Sequence, residues 1–304
     1  MPKRVFVTGG MGFVGSWLSS SLERDGRCAT FLAPADMDVR DSNAIRAAVR
    51  DAVPDYVVHL AAQSFVGDAT QNPRATYDIN FLGTLNLLDA LAAEGFRGRM
   101  LYVGSADTYG RVGENDLPVV ESHPLRPRNP YAVSKVAAEA LCYQWSQTAA
   151  FEIVMVRPFN HIGPGQTDKF VVSDFAKQVM EIKLGMREPV MSVGDIDVTR
   201  DFTDVRDVAA AYGLLLEHGQ NGEIYNVCSG EERRVSDILQ QLMDIAGIRA
   251  SITQEPHRMR RAEQRRMCGS YAKLNAMAGW SPSIPLTDSL RAIVLDWEAT
   301  LKNE

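Results

Sequence analysis

The stretch Val5-Phe6-Val7-Thr8-Gly9-Gly10-Met11-Gly12-Phe13-Val14-Gly15 decides the fold. A short apolar run ends in a cluster of glycines, and the apolar spacing that follows over 16–24 is helical. Gly9, Gly12 and Gly15 are spaced GxxGxxG at this junction of strand and helix. Such a turn lets backbone approach closely and lets the helix N-terminus receive a pyrophosphate. Three glycines also suit a bare structural turn. Their place directly after the first strand favours the dinucleotide.

Outward from this unit, apolar strands are expected at 29–32, 56–60, 100–103 and 153–156, with helical stretches near 42–52, 74–94 and 131–149 between them. The alternation predicts an α/β fold, a Rossmann-type doubly wound parallel sheet. After Pro164 the regularity fades. A helix near 170–184, a strand and loop over 190–202, a helix over 205–217, a strand at 224–227 and helices near 236–246 and 285–300 follow. We expect residues 1–166 to form the NAD(P)-binding domain and 167–304 a smaller substrate-binding domain, with 203–228 returning to the Rossmann core.

With 304 residues, 45% hydrophobic and 23% charged, and no low-complexity stretch, the chain excludes the disordered, collagenous and coiled-coil classes. A net charge of -6 argues against nucleic acid or an anionic membrane as partner. The 25 Arg against 7 Lys suit bidentate grip on phosphates, and a base-composition bias gives the same ratio. Cys28, Cys142, Cys228 and Cys268 form no CxxC pair and have no His at ligand spacing, so neither a metal site nor a disulfide framework is expected. With no signal-peptide core and no apolar run of spanning length, a cytoplasmic protein is expected.

Tyr131 and Lys135 stand four apart on the stretch 131–149, hence on one helix face. A lysine charge beside a phenol favours phenolate and is expected to lower the phenol pKa from about 10 toward neutrality, making Tyr131 a general acid or base. Ser105 follows the strand 100–103 at the edge where doubly wound sheets place ligands. Its hydroxyl suits the same carbonyl oxygen as Tyr131, and it equally suits a helix or turn cap. An acid is expected about 20 residues past the glycines to bond the ribose of NAD. Here the second strand ends Phe31-Leu32-Ala33-Pro34, and the first acids are Asp36 and Asp38, which leaves NAD and NADP both open.

Gly9-x-x-Gly12-Phe13-x-Gly15, His59-Leu60-Ala61-Ala62, Asn80-Phe81-Leu82-Gly83-Thr84, the segment 105–110, Asn129-Pro130-Tyr131-Ala132-Val133-Ser134-Lys135 and Arg157-Pro158-Phe159-Asn160 resemble the extended short-chain dehydrogenase/reductase family over nearly the whole chain. Within it, segments 158–166, 193–198 and 258–266 are similar to members that reduce the C4 keto group of a GDP-linked 4-keto-6-deoxy sugar. The resemblance implies reduced NADP or NAD as hydride donor and Ser105, Tyr131 and Lys135 as the catalytic trio. It places Asp38 and Val39 against adenine and Leu60, Ala61 and Ala62 along the cofactor. It also assigns Gly9, Gly12, Phe13, Val14, Gly15, Asn80, Pro158, Tyr131 and Lys135 to the cofactor site. For the GDP-sugar it implies Ser105, Asp107, Tyr131, Asn160, Val172, Arg200, Arg260 and Glu263.

An arginine fork suits the diphosphate and a carboxylate the ribose hydroxyls. The alternative for five Arg between 258 and 266, a solvated helix face or a nucleic-acid patch, is disfavoured on an acidic chain with a dinucleotide fold. His161 is read as a packing residue. The rival activities are a nucleotide-sugar 4,6-dehydratase, with Asp107 at the position of the added base, and an epimerase. A non-catalytic dinucleotide sensor is disfavoured by the trio. A homodimer through a four-helix bundle is expected, because Phe81, Leu82, Leu85, Leu87, Leu88 and Leu91, and Val136, Leu141, Cys142 and Trp145, spread apolar surface beyond one stripe. The alternative is that the substrate domain covers these faces.

Overall fold

The computed structural model describes residues 2–24, 26, 28–255 and 264–303. The N-terminal half alternates as the apolar runs predict: β1 (Lys3–Thr8), α1 (Phe13–Glu23), β2 (Cys28–Leu32), α2 (Ser42–Ala52), β3 (Tyr56–His59), α3 (Val66–Gln71), α4 (Pro73–Tyr77), α5 (Gly83–Ala93), β4 (Arg99–Val103), α6 (Pro130–Thr148) and β5 (Glu152–Pro158). There follow β6 (Asn160–Ile162), α7 (Val171–Lys183), β7 (Val190–Val193), β8 (Thr199–Asp204), α8 (Val205–His218), β9 (Ile224–Val227), β10 (Glu232–Arg234), α9 (Val235–Ala246), β11 (Ser251–Gln254), α10 (Ala272–Ala278) and α11 (Leu286–Lys302).

Six strands form one parallel sheet in the order β2-β1-β3-β4-β5-β9. The order reverses between β1 and β3, the crevice where sheets of this kind bind ligands. Both faces are covered, so the strands read as continuous apolar runs rather than alternating ones. Phe6, Val57, Met100, Tyr102, Ile153 and Met155 pack on one side with Ile45 and Val49 of α2, Leu87, Leu88 and Leu91 of α5, and Ala138 and Cys142 of α6. Val5, Val7, Val58, Leu101, Val154 and Val156 pack on the other with Leu18 of α1 and Val208, Tyr212 and Leu215 of α8. A third core joins Phe175 and Val179 of α7, Leu239 and Leu242 of α9, and Leu290 and Ile293 of α11.

The single helix expected over 74–94 is divided. Asn72 accepts from Ala75 N and Pro73 stands at the first helical position, so α4 starts afresh there. Between α4 and α5 the chain makes one π-turn over Asp78–Leu82, a local widening often found at functional sites. β6, β10 and β11 go beyond what the periodicity predicts, because three or four residues are too few to display a period and β11 is exposed along its length, and the short helices α3 and α10 go beyond it too. Among the described residues no helix is long and apolar enough to cross a membrane.

Candidate active site

Because the strands are parallel, the tips of β1, β3, β4 and β5 all end on one edge, where the glycine turn, Ser105 and Pro158 stand. Gly9 has φ +68, and a Cβ on it would lie 2.7 Å from Ala61 N. A Cβ on Gly15 would lie 2.3 Å from the Gly10 carbonyl oxygen. The turn therefore requires glycine at both positions. Gly12 caps α1 without a side-chain bond, and no acid stands in that helix's first turn. Unclaimed amides at a helix N-terminus and a cradle that any Cβ would fill fit the pyrophosphate of a dinucleotide. Phe13 opens the helix with its ring stacked on His161 at 6.0 Å, which places His161 as packing beside the turn.

At the tip of β2, Leu32 leans on Gly10, and no carboxylate occupies the position. Asp38 is nearby in sequence, but both its oxygens are engaged by Arg40. Nε lies 2.9 Å from each, and the Arg40 amide adds a bond of 2.9 Å. These bonds hold the Asp38 carboxyl below its usual range. Val39 is buried against the open side of Gly83, while Leu60, Ala61 and Ala62 are half-buried beyond the tip of β3.

Asn129 caps α6 by accepting from Ala132 N at 2.8 Å, with Pro130 at the first helical position, so Tyr131 stands in the first turn. Ser105, at the end of β4, accepts from Asp107 N at 3.1 Å and thus caps the short turn over Ala106–Tyr109. Its side chain also acts on the Tyr131 phenol, lowering its pKa, so the capping hydroxyl stands beside that phenol. Lys135 is buried, and its Nζ donates to the Val103 carbonyl at 2.8 Å, 6.0 Å from the centre of the Tyr131 ring. Burial lowers the lysine to about 8.

The depressed phenol expected from the Tyr131–Lys135 spacing is not what the structure gives. Burial first, then the charge of Asp107, push Tyr131 up, and the Ser105 bond only partly offsets them. Tyr131 is therefore a firmly protonated donor.

Asn80 lies on the π-turn and its amide is spent inside the protein: Oδ1 accepts from Gln63 N at 2.8 Å, and Nδ2 donates to the Gln63 carbonyl and Ser134 Oγ at 3.0 and 2.9 Å. Ser134 donates in turn to the Tyr131 carbonyl at 2.7 Å. Asn80 thus ties the loop after β3 to α6. Pro158 is buried at the end of β5, and Asn160 is exposed on β6. Val172 is 1% exposed within the third core, so its side chain has no surface to offer a substrate.

Arg200 on β8 is half-buried, with Nη1 donating to Thr199 O at 2.7 Å. Burial lowers its pKa, while the charges of Asp107 and Asp195 act to raise it, which puts Asp107 in electrostatic reach of both Arg200 and Tyr131. Arg260 and Glu263 lie outside the described residues. Of the arginine run, Arg265 pairs with Asp195 at 2.8 Å and Arg266 with Glu232 at 2.7 Å, and neither lies on a helix. Gln264 accepts from Val112 N at 3.0 Å and donates to Val112 O at 2.9 Å. This segment is stitched to the loop that follows Ser105. No pattern of spacing announces these contacts, which join residues far apart in sequence.

A doubly wound sheet with a glycine turn at its reversal point, and Ser, Tyr and Lys gathered at the same edge, defines a dinucleotide-dependent oxidoreductase of short-chain type. The chain belongs to the family described as GDP-mannose 4,6 dehydratase, whose family model matches residues 29–293. It is 48% identical over 305 residues to GDP-6-deoxy-D-mannose reductase of Pseudomonas aeruginosa, covering 100% of both chains. A solved structure of RMD from Pseudomonas aeruginosa complexed with NADPH is similar with TM-score 0.92 and 47% identity, over 98% of this chain and 99% of that one. UDP-glucose 4-epimerase of Thermus thermophilus, solved with NAD, is similar with TM-score 0.85 and 29% identity, over 97% and 98%.

Proposed function

We propose that this protein reduces the C4 keto group of GDP-4-dehydro-6-deoxy-D-mannose, giving GDP-D-rhamnose. The reading is carried by full-length similarity to a GDP-6-deoxy-D-mannose reductase, joined to the placement of Ser105, Tyr131 and Lys135 at one sheet edge. The glycine turn and the N-terminus of α1 hold NADPH or NADH, which supplies the hydride for C4. Tyr131 holds the proton that the C4 oxygen takes up, and Ser105 donates a hydrogen bond to that oxygen. Lys135 keeps a positive charge near the phenol as it gives up its proton. Arg200 orients the diphosphate, with Arg260 and Glu263 as further candidates for the nucleotide.

The test is cofactor absorbance with a panel of GDP-, UDP- and dTDP-linked 4-keto-6-deoxy sugars. Stoichiometric oxidation with the GDP sugar supports the reading. Turnover without net oxidation would select the epimerase or dehydratase activities, for which Asp107 is a candidate carboxylate. NADPH and NADH should both be used, because the tip of β2 has no acid and Arg40 occupies Asp38. A preference for NADH beyond about 10²-fold would assign ribose binding to Asp36 or Asp38, since a close carboxylate repels a 2'-phosphate.

The division into a dinucleotide unit over 1–166 with 203–228 and a substrate unit over the rest of 167–304 belongs to the same reading, as does a cytoplasmic site of action. So does a homodimer. Leu87, Leu88 and Leu91 are absorbed by the chain's own core, with Leu141 and Trp145 packed against it, so less apolar surface is left over than the sequence pattern predicts. What stays outside is Tyr77, Leu82, Val133 and Tyr143, each at least 37% exposed, on α4 to α6 and the turn between them. A second copy pairing these helices into a four-helix bundle would cover them. Light scattering at micromolar concentration should give twice the mass of one chain, and a single-chain mass would reject the pairing.

A further inference from the structure

His59 ends β3 and is 2% exposed. Its two ring nitrogens each meet a fully buried threonine: Nδ1 lies 2.7 Å from Thr8 Oγ1, at the tip of β1, and Nε2 lies 3.0 Å from Thr84 Oγ1, on α5. The neighbours fix where the protons are. The Thr84 hydroxyl already donates to the Asn80 carbonyl at 2.7 Å, so it must accept from the ring, which puts a hydrogen on Nε2. Nδ1 then accepts from the Thr8 hydroxyl, whose oxygen remains available to Ala61 N at 3.4 Å. The opposite tautomer would leave the buried Thr8 hydroxyl without an acceptor, at the cost of an unmade bond.

We propose that His59 is a positioning residue. As the neutral Nε2–H tautomer it couples the start of the dinucleotide turn at Thr8-Gly9 to Asn80, and through Asn80 and Ser134 to the main chain of Tyr131. The chain of bonds runs in one direction, Thr8 to His59 to Thr84 to Asn80, and a second proton on the ring would break it. The surroundings favour the neutral form. The His59 ring lies 6.3 Å from that of Tyr102, and the ammonium of Lys135 lies over the same tyrosine ring, 5.4 Å from its centre. Burial and the Lys135 charge together hold His59 down to about 3. The imidazole thus fixes the distance between the element that holds the dinucleotide and the one that presents the proton donor.

The two arms can be cut separately. His59→Asn keeps an oxygen near the Nδ1 position and loses the donor toward Thr84. His59→Gln keeps an amide nitrogen near the Nε2 position and loses the acceptor for Thr8. His59→Gln should weaken NADPH binding about 10-fold, the scale of one buried hydrogen bond, with turnover at saturating NADPH within about 3-fold of the parent. His59→Asn should do the reverse, lowering turnover about 10-fold with NADPH affinity little changed. Thr84→Val should behave as His59→Asn does, and Thr84→Ser should restore the parent values.

Only the turnover arm rests on the reductase reading. NADPH affinity by fluorescence titration and the imidazole ¹⁵N shifts, which report the tautomer, need no sugar and separate the two failures. A proton on Nδ1 would overturn the proposal. So would variants that lower only the melting temperature, with NADPH affinity and turnover per folded molecule unchanged.

Discussion

Tyr131→Phe should lower turnover by about 10²- to 10⁴-fold, the usual contribution of a positioned proton donor, while NADPH affinity stays near that of the parent. The phenol is the group best placed to supply the proton. It sits in the first turn of α6 and receives a bond from Ser105, and burial with the nearby Asp107 charge keeps it protonated. Phenylalanine preserves the packing of a ring that is only 9% exposed, so a fall in rate reports the lost hydroxyl rather than a lost fold. Steady-state rates with stopped-flow titration of NADPH separate the two quantities. Unchanged turnover would remove Tyr131 from the chemistry.

The pH dependence carries a second sign. Lys135 is held at about 8 by burial, so its charge is present below that pH and lost above it. In the proposed reaction, the phenolate left when Tyr131 gives its proton would be stabilised by that charge. Turnover should therefore decline as pH rises through about 8, with Tyr131 itself still protonated over that range.

The parts of this site legible in the sequence are those whose geometry is local. The glycines of the turn follow one another within seven residues, and Tyr131 and Lys135 are one helical turn apart, so spacing alone places them. The strands between them are apolar on both faces and easily found. What the sequence withholds depends on neighbours supplied by the fold. The phenol is pushed up rather than down because burial around Tyr131 outweighs a lysine that turns its ammonium to the Val103 carbonyl. The excess apolar surface on α5 is largely taken up by α2 and the sheet. The bonds of His59 join positions 51 and 25 residues away, and no periodicity encodes them.

Arg157→Met should destabilise the protein by about 3–5 kcal/mol, the scale of breaking one side of a buried ion pair. Arg157 on β5 meets Glu139 on α6 through Nε at 2.8 Å and Nη2 at 2.6 Å, with side chains only 4% and 6% exposed. Its third branch donates to the Glu121 carbonyl at 3.0 Å, and the guanidinium lies 4.9 Å over the Tyr109 ring. Methionine fills much of the same volume but leaves the Glu139 carboxylate buried without its partner. The double variant with Glu139→Leu should recover most of the loss, because two apolar side chains no longer strand a charge. Glu139 stands one turn beyond Lys135 and two beyond Tyr131, so the pair holds α6 against the strand that ends at Pro158. Urea midpoints and slopes for the parent, both single variants and the double variant give the coupling directly. A loss below about 1 kcal/mol for Arg157→Met would place this pair with exposed ones and remove it as the anchor of α6.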